Sequence, residues 1–199
     1  MHTSNKPVIG VFALQGAFIE HMRMLTALGA TCYEIRQLTD LTARSYDGFV
    51  LPGGESTTQG KLLKALGLFA PLQERIRMGT PILATCAGAI LLSNHIDNDS
   101  ATHLKTLPAT IHRNAYGRQL GSFATLAPCG NITDFPMVFI RAPYFTEVED
   151  ADVTVLARVA GAIVGVRYHN QLALSFHPEL SGDTRIHQYF LNMMQSTES

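Results

Sequence analysis

The sequence predicts an α/β fold: a mostly parallel central sheet with covered faces, and antiparallel strands in the second half. Three observations carry this. Short β-rich runs alternate with helical patterns through the first half, as repeated strand, helix, strand units require. The first such run, VIGVFAL (8–14), is apolar throughout rather than at alternate positions, as in a strand buried on both faces. After Ser93 the pattern changes to short strand-like runs broken by Gly, Asn and Pro, which is how hairpins read.

Taken in order, VIGVFAL is a strand and AFIEHMRMLTALG a helix, with Phe18, Met22, Leu25 and Leu28 at helical spacing and Gly29 as its stop. TCYEI and DGFVLPGG are the next strands, and TTQGKLLKALG and PLQERIRMG the next helices. PILAT then runs as a strand into the helix AGAILLS, and HIDNDSATH (95–103) is the most loop-like segment. LPATIHRN, GSFATLA, MVFIRAP, VTVLARV, AIVGVRY and LALSFHPE are strands, with VAGAI and RYHNQLA as hairpin connections. A helix, DTRIHQYFLNMM, closes the chain. With no repeat, low-complexity tract or linker, residues 1–199 read as one domain.

Composition narrows the function classes. Apolar residues make up 46% of the chain and charged residues 16%, enough to bury a core and unlike a disordered chain. A net charge of -1 supplies no field for nucleic acid or an anionic membrane surface, and no basic cluster is interleaved with aromatics. The start, MHTSNKPVIGVFALQG, lacks a signal-peptide pattern, and no run approaches the roughly 20 apolar residues of a membrane span. A soluble, cytoplasmic protein is expected. The three cysteines, Cys32, Cys86 and Cys129, are widely spaced and form no C-x-x-C pair, which argues against a disulfide framework or a zinc site.

Three segments carry chemistry-bearing residues. In GTPILATCAGAILLS (79–93) Cys86 sits where a buried strand meets a helix, with Ala84, Ala87 and Gly88 as small neighbours. That is the pattern of a strained nucleophile elbow, and the helix N-terminus favours a thiolate there; inert packing is the alternative for a buried cysteine. In LALSFHPEL, an extended chain puts residues 177 and 179 on one side, so Glu179 orients the His177 imidazole toward a thiol, or the tripeptide is an ordinary strand end. In DGFVLPGGESTTQ (47–59), Gly53 and Gly54 follow a strand. They either aim backbone N–H groups into an oxyanion hole or make a sharp turn with Ser56 capping the next helix. The lysine and spacing of a phosphate loop are missing. All three segments end strands of the inferred parallel sheet, where such sheets bind ligands, so a cysteine hydrolase or transferase accounts for them together.

These segments resemble the class I, or triad-type, glutamine amidotransferases. The set ALQGAFIEH (13–21), LPGGESTT (51–58), RNAYGRQ (113–119), FIRAP (139–143) and SFHPEL (175–180) is similar to the glutaminase subunits of pyridoxal 5'-phosphate synthase. The resemblance implies a flavodoxin-like three-layer sandwich and hydrolysis of L-glutamine through a glutamyl thioester, with Cys86 as nucleophile, His177 as base and Glu179 as its orienting acid. It implies glutamine contacts at Gly54, Glu55, Ser56, Arg113, Ile140 and Arg141, and oxyanion donors at Gly54 and Ala87. Gln15 and Gly16 correspond to a loop that completes the oxyanion hole when a partner docks. No metal or cofactor is implied. The motifs occupy nearly the whole chain, so the ammonia acceptor is expected to be a separate synthase subunit in a hetero-oligomeric complex that makes vitamin B6. Ala84 stands where many relatives have glycine, and His112 and Tyr116 also depart from the common pattern. A cysteine peptidase or deglycase on a similar fold, and a scaffolding subunit with a structural Cys86, are the rival readings.

Overall fold

The computed structural model describes residues 6–114 and 121–195. Five parallel strands form its centre: β1 (Val8–Phe12), β2 (Thr31–Ile35), β3 (Gly48–Leu51), β4 (Ile82–Thr85) and β12 (Gln171–Leu174). They lie in the order β2-β1-β3-β4-β12, all parallel, which is the core of a flavodoxin-like sheet. In register, Leu51 pairs with Ala84 and Leu174 with Thr85, so the ends of β3, β4 and β12 lie side by side.

Alternation along these strands builds two cores. Phe12, Phe49, Leu51, Ile82, Ala84 and Ala173 point to one face. It is covered by α2 (Leu38–Thr42), α3 (Ser56–Ala65), α4 (Phe69–Arg77) and α5 (Ala87–Leu92), which supply Leu41, Leu63, Leu72 and Ile90. Ile9, Val11, Val50, Leu83, Leu172 and Leu174 point to the other, under α1 (Phe18–Ala27) and α6 (Arg185–Gln195), which supply Leu25, Ile186 and Phe190. Near-continuous apolar runs were needed because both faces are buried.

Beyond β12 the sheet turns antiparallel. β11 (Ala162–Tyr168) pairs with β12 and with β10 (Val153–Val159), then β9 (Tyr144–Val148) and β6 (Leu107–His112) follow, and β5 (Ser93–Ile96) closes the edge parallel to β6. The two expected hairpins are present: Ala160 and Gly161 both have positive φ between β10 and β11, and the β11 to β12 turn closes on the Tyr168↔Gln171 pair. β7 (Ser122–Cys129) and β8 (Ile132–Ile140) stand apart as a two-stranded ribbon, whose Phe135 and Phe139 pack against Phe176 on the α1/α6 face. Among the described residues no helix is long and apolar enough to cross a membrane.

Four local expectations need correcting. β5 occupies residues assigned partly to loop, α2 and β9 were not expected as elements, and β12 stops at Leu174. The chain from Ser175 leaves the ladder, and Pro178–Leu180 forms one turn of 3₁₀ helix. His177 and Glu179 therefore share a side because the turn folds Glu179 back under the ring, not because the chain is extended. Proline at the first position of that turn enforces it, since its fixed φ suits a helical start.

Candidate active site

Cys86 follows β4 with φ +48 and ψ -103, outside the ordinary regions for an L-residue. The strain is held by neighbours. Its N–H donates to the Leu174 carbonyl of β12 at 2.8 Å, and at Gly88 a β-carbon would overlap the carbonyl of Leu51 at the end of β3. Ala84, where the resemblance implies glycine in many relatives, is fully buried; its methyl lies over the space that Gly88 leaves free. Cys86 is 6% exposed and heads α5, so the N–H of Ala87, first in that helix, has no intrahelical partner.

His177 is fixed from both sides of its backbone segment. Ser175 N donates to Val164 of β11 and His177 N to Val138 of β8, each at 2.8 Å. The imidazole Nδ1 lies 2.7 Å from Glu179 Oε1, while Nε2 is buried without a hydrogen-bond partner among the described residues. Gly53 closes the arrangement: a β-carbon there would overlap His177 Cε1 and lie 3.3 Å from Cys86 Cβ. The three expected strand ends thus meet within contact distance. Burial disfavours a charged His177, but interactions with the Cys86 sulfur and the Glu179 carboxylate outweigh it and raise the imidazole to about 10. Glu179 in turn is held below the usual carboxylate range despite burial, because His21 and His177 surround it.

The loop after β1 is joined to the turn after β3. Gly16, at φ +93, lies so close to the Gly53 carbonyl that no side chain fits. Ala17 N donates to that carbonyl at 3.2 Å. Gln15 Oε1 accepts from Glu55 N at 2.7 Å, and Gln59 Nε2 donates to the Gln15 carbonyl at 3.0 Å. Glu55 rather than Ser56 caps α3: its carboxylate accepts from Thr57 N and Thr58 N, leaving Ser56 buried inside the first turn. Those bonds overcome the cost of burial and bring Glu55 down to about 2.

Arg113 follows β6 and reaches the same segment. Its guanidinium pairs with Asp99 and lies 3.5 Å from Glu55 Oε1 and 3.4 Å from Thr57 Oγ1. Ile140, the last residue of β8, and Arg141 just after it are both exposed, two and three residues beyond the carbonyl that takes His177 N, and Arg141 has φ +43. Of RNAYGRQ, residues 115–119, including Tyr116, lie outside the described residues. His112 bonds Asp97 at 2.6 Å and stacks on Tyr144. Cys32 and Cys129 are free thiols; burial pushes both up, Cys129 to about 12.

Sequence reasoning missed two buried histidines. His21 of α1 and His187 of α6 are fully buried and lie behind Glu179. Burial lowers both, His187 to about 3. In the unfolded chain each titrates near 6.5, so unfolding takes up protons between about 6.5 and 3, and stability falls with falling pH across that window. His177 adds no slope there, being protonated in both states below 6.5. We expect the midpoint of thermal unfolding to drop on acidification from pH 6.5 to 4; a flat midpoint in differential scanning calorimetry contradicts the assignment.

Comparison with known proteins agrees with this geometry. Residues 11–196 match the SNO glutamine amidotransferase family. A protein of Desulfitobacterium hafniense called pyridoxal 5'-phosphate synthase subunit PdxT is 56% identical, over 96% of this chain and 95% of that one. One of the same name from Methanocorpusculum labreanum is 55% identical over 95% and 98%. A crystal structure described as a glutamine amidotransferase superposes with a TM-score of 0.87 at 41% identity, covering 94% of this chain and 98% of that one. By sequence match over nearly its whole length and by the meeting of its three strand ends, this chain belongs to the SNO glutamine amidotransferase family.

Proposed function

We propose that this chain, as one glutaminase domain in the cytoplasm, hydrolyses L-glutamine to L-glutamate and ammonia and passes the ammonia to a separate pyridoxal 5'-phosphate synthase subunit. The observation that carries the reading is the contact of Cys86, His177 and Gly53 at the ends of β4, β12 and β3, with Glu179 bonded to the far side of the imidazole. A nucleophile, a base and an orienting acid in that order are the requirement for acyl transfer.

In this scheme His177 already holds the proton that Cys86 gives up, and the Cys86 sulfur attacks the side-chain amide carbon. The N–H groups of Gly54 and Ala87 take the charge that develops on the carbonyl oxygen. His177 then gives its proton to the leaving nitrogen, and ammonia departs from a glutamyl thioester. Water, deprotonated by His177, attacks the thioester; glutamate leaves and the thiol is restored. Gly54, Glu55 and Ser56, with Arg113, Ile140 and Arg141, hold the amino-acid end of the substrate. An arginine fork matches its α-carboxylate.

The bonds that join Ala17 to Gly53 and Glu55 to Gln15, with Gly16 packed against the Gly53 carbonyl, support a role for the synthase partner. A protein docking on the loop after β1 moves the turn that carries the oxyanion donors, and donors not yet in place contribute little until fixed. Glutamate release by the chain alone is expected to be weak and to rise at least about tenfold with saturating synthase subunit. A coupled glutamate assay reads both rates; equal turnover with and without the partner sinks the docking part of the proposal. Peptide substrates run in parallel separate a peptidase from a glutaminase.

A further inference from the structure

Behind Glu179 stand groups that the hydrolytic scheme leaves unused. His21 Nε2 lies 3.2 Å from Thr85 Oγ1 and approaches Glu179 Oε2 at 3.3 Å, close enough for electrostatic support though not aligned as a hydrogen bond, since that oxygen has no hydrogen-bond partner among the described residues. Its Nδ1 lies 2.9 Å from Nε2 of His187. The line from Cys86 through His177 and Glu179 therefore continues through His21 to the C-terminal helix, and all of its added members are fully buried. Thr85 branches from it, because the same hydroxyl accepts the N–H of Gly53 at 3.0 Å.

The protons on this line follow by elimination. An ionised Glu179 only accepts, so the His21 nitrogen facing it carries a proton. Burial lowers His21 and His187, so each ring is neutral with one proton. His21 Nδ1 is then bare and must accept from His187 Nε2–H, which leaves His187 Nδ1 as a bare acceptor. That atom is buried without a partner among the described residues. Reversing either ring sets two protons, or a lone pair and a carboxylate, against each other. The charged groups bearing on His21 are Glu179 and His177 across the site and Glu20 on its own helix.

We propose that His21 and His187 are positioning residues for the glutaminase reaction, a neutral two-histidine chain that fixes the Glu179 carboxylate against His177. The inference rests on Cys86, His177 and Glu179 acting as the triad. Neutrality matters physically. A lysine or arginine in place of His21 would also hold Glu179, but its charge would compensate the carboxylate and weaken its grip on the His177 imidazolium. A neutral N–H orients the carboxylate and leaves its charge for the base. The same ring touches Thr85, whose hydroxyl accepts the Gly53 N–H, so base and oxyanion turn share one support.

The test uses full-length chain with the synthase subunit, comparing wild type with His21→Leu, His21→Gln and His187→Phe. His21→Leu is expected to lower kcat about tenfold, since it removes the polar group closest to the buried Glu179 Oε2 and leaves that charge facing an apolar side chain, with KM for glutamine changed by less than about twofold. The acid limb of its pH profile should move to higher pH, because a less supported carboxylate takes up its proton sooner. His21→Gln keeps an N–H at the reach of Nε2 and should recover most of kcat. His187→Phe fills the ring space without the donor and should shift the acid limb in the same direction by less, which keeps the proposal open to refutation if His21→Leu does not fold. Wild-type kcat and pH profile in His21→Leu or in His187→Phe, or a His21→Gln as impaired as His21→Leu, overturn it. A wild-type chain that releases no glutamate overturns the proposed function, and this inference with it.

Discussion

Replacing Cys86 by alanine is expected to lower glutamine hydrolysis by at least about 10⁴-fold, since members of a nucleophile triad act as a unit and removing one removes most of the chemistry. The fold should survive. The left-handed φ of +48 is paid by any L-residue, alanine included, and the bond from residue 86 N to the Leu174 carbonyl is a backbone bond that the substitution keeps. Only the sulfur is lost, from a site already 6% exposed. The measurement pairs glutamate release with a circular dichroism melt. Intact-mass analysis after treatment with a glutamine-mimicking electrophile adds a check on the nucleophile: wild type gains one adduct and the alanine variant none. Retained turnover, or an unlabelled wild-type Cys86, would remove the cysteine from the mechanism; a variant that does not fold would favour a structural cysteine.

Gly88→Ala should have the largest effect on stability. Its β-carbon would overlap the Leu51 carbonyl, a backbone atom in the middle of the parallel sheet that cannot rotate away as a side chain does. Overpacking of this kind costs about 3 kcal/mol, which for a chain of this size lowers the melting midpoint by about 6–12 °C. Relief requires α5 to withdraw from β3, which also moves Cys86 away from Gly53, so activity should fall further than stability alone accounts for. A variant melting within about 2 °C of wild type, where ordinary substitutions lie, would show that the close packing of elbow on strand is not what holds the nucleophile.

The inner strands of the parallel half could be read from their composition because they are buried on both faces, so VIGVF, GFVL and ILAT are almost wholly apolar, whereas the edge strand β2 is partly exposed. The elements that escaped lack such a signal. α2 is five residues long, too short for a helical period to show. β5, SNHI, is a polar edge strand, and β9, YFTEV, has only one fully buried side chain. At the site, the conjunction of Gly53, Cys86 and His177 followed from the rule that parallel strands end together. The partnership of His177 with Glu179 was expected for the wrong geometric reason, because a turn and an extended strand both bring residues two apart to one side. Glu55 as the cap of α3 needed knowledge of where the helix begins to within one residue, which propensity does not give. His21 did carry a signal. It lies on the same stripe of α1 as Phe18, Met22 and Leu25, where a histidine among apolar residues must be either neutral and bonded or very costly. His187, beside buried Ile186 and one turn before buried Phe190 and Leu191, carried the same one.

The strand that brings His177 to Cys86 is near the middle of the sheet but near the end of the chain: β12 lies between β4 and β11. While the protein is being synthesised, β4 is present with one edge open until residues 171–174 arrive to pair with it. Insertion of a late strand between parallel and antiparallel halves is a long-range step, slow relative to local helix and hairpin formation. It is also the step that unites thiol and imidazole. The topology therefore works as a check on completeness: a chain that stops short of residues 171–177 holds the Cys86 thiol apart from the His177 imidazole.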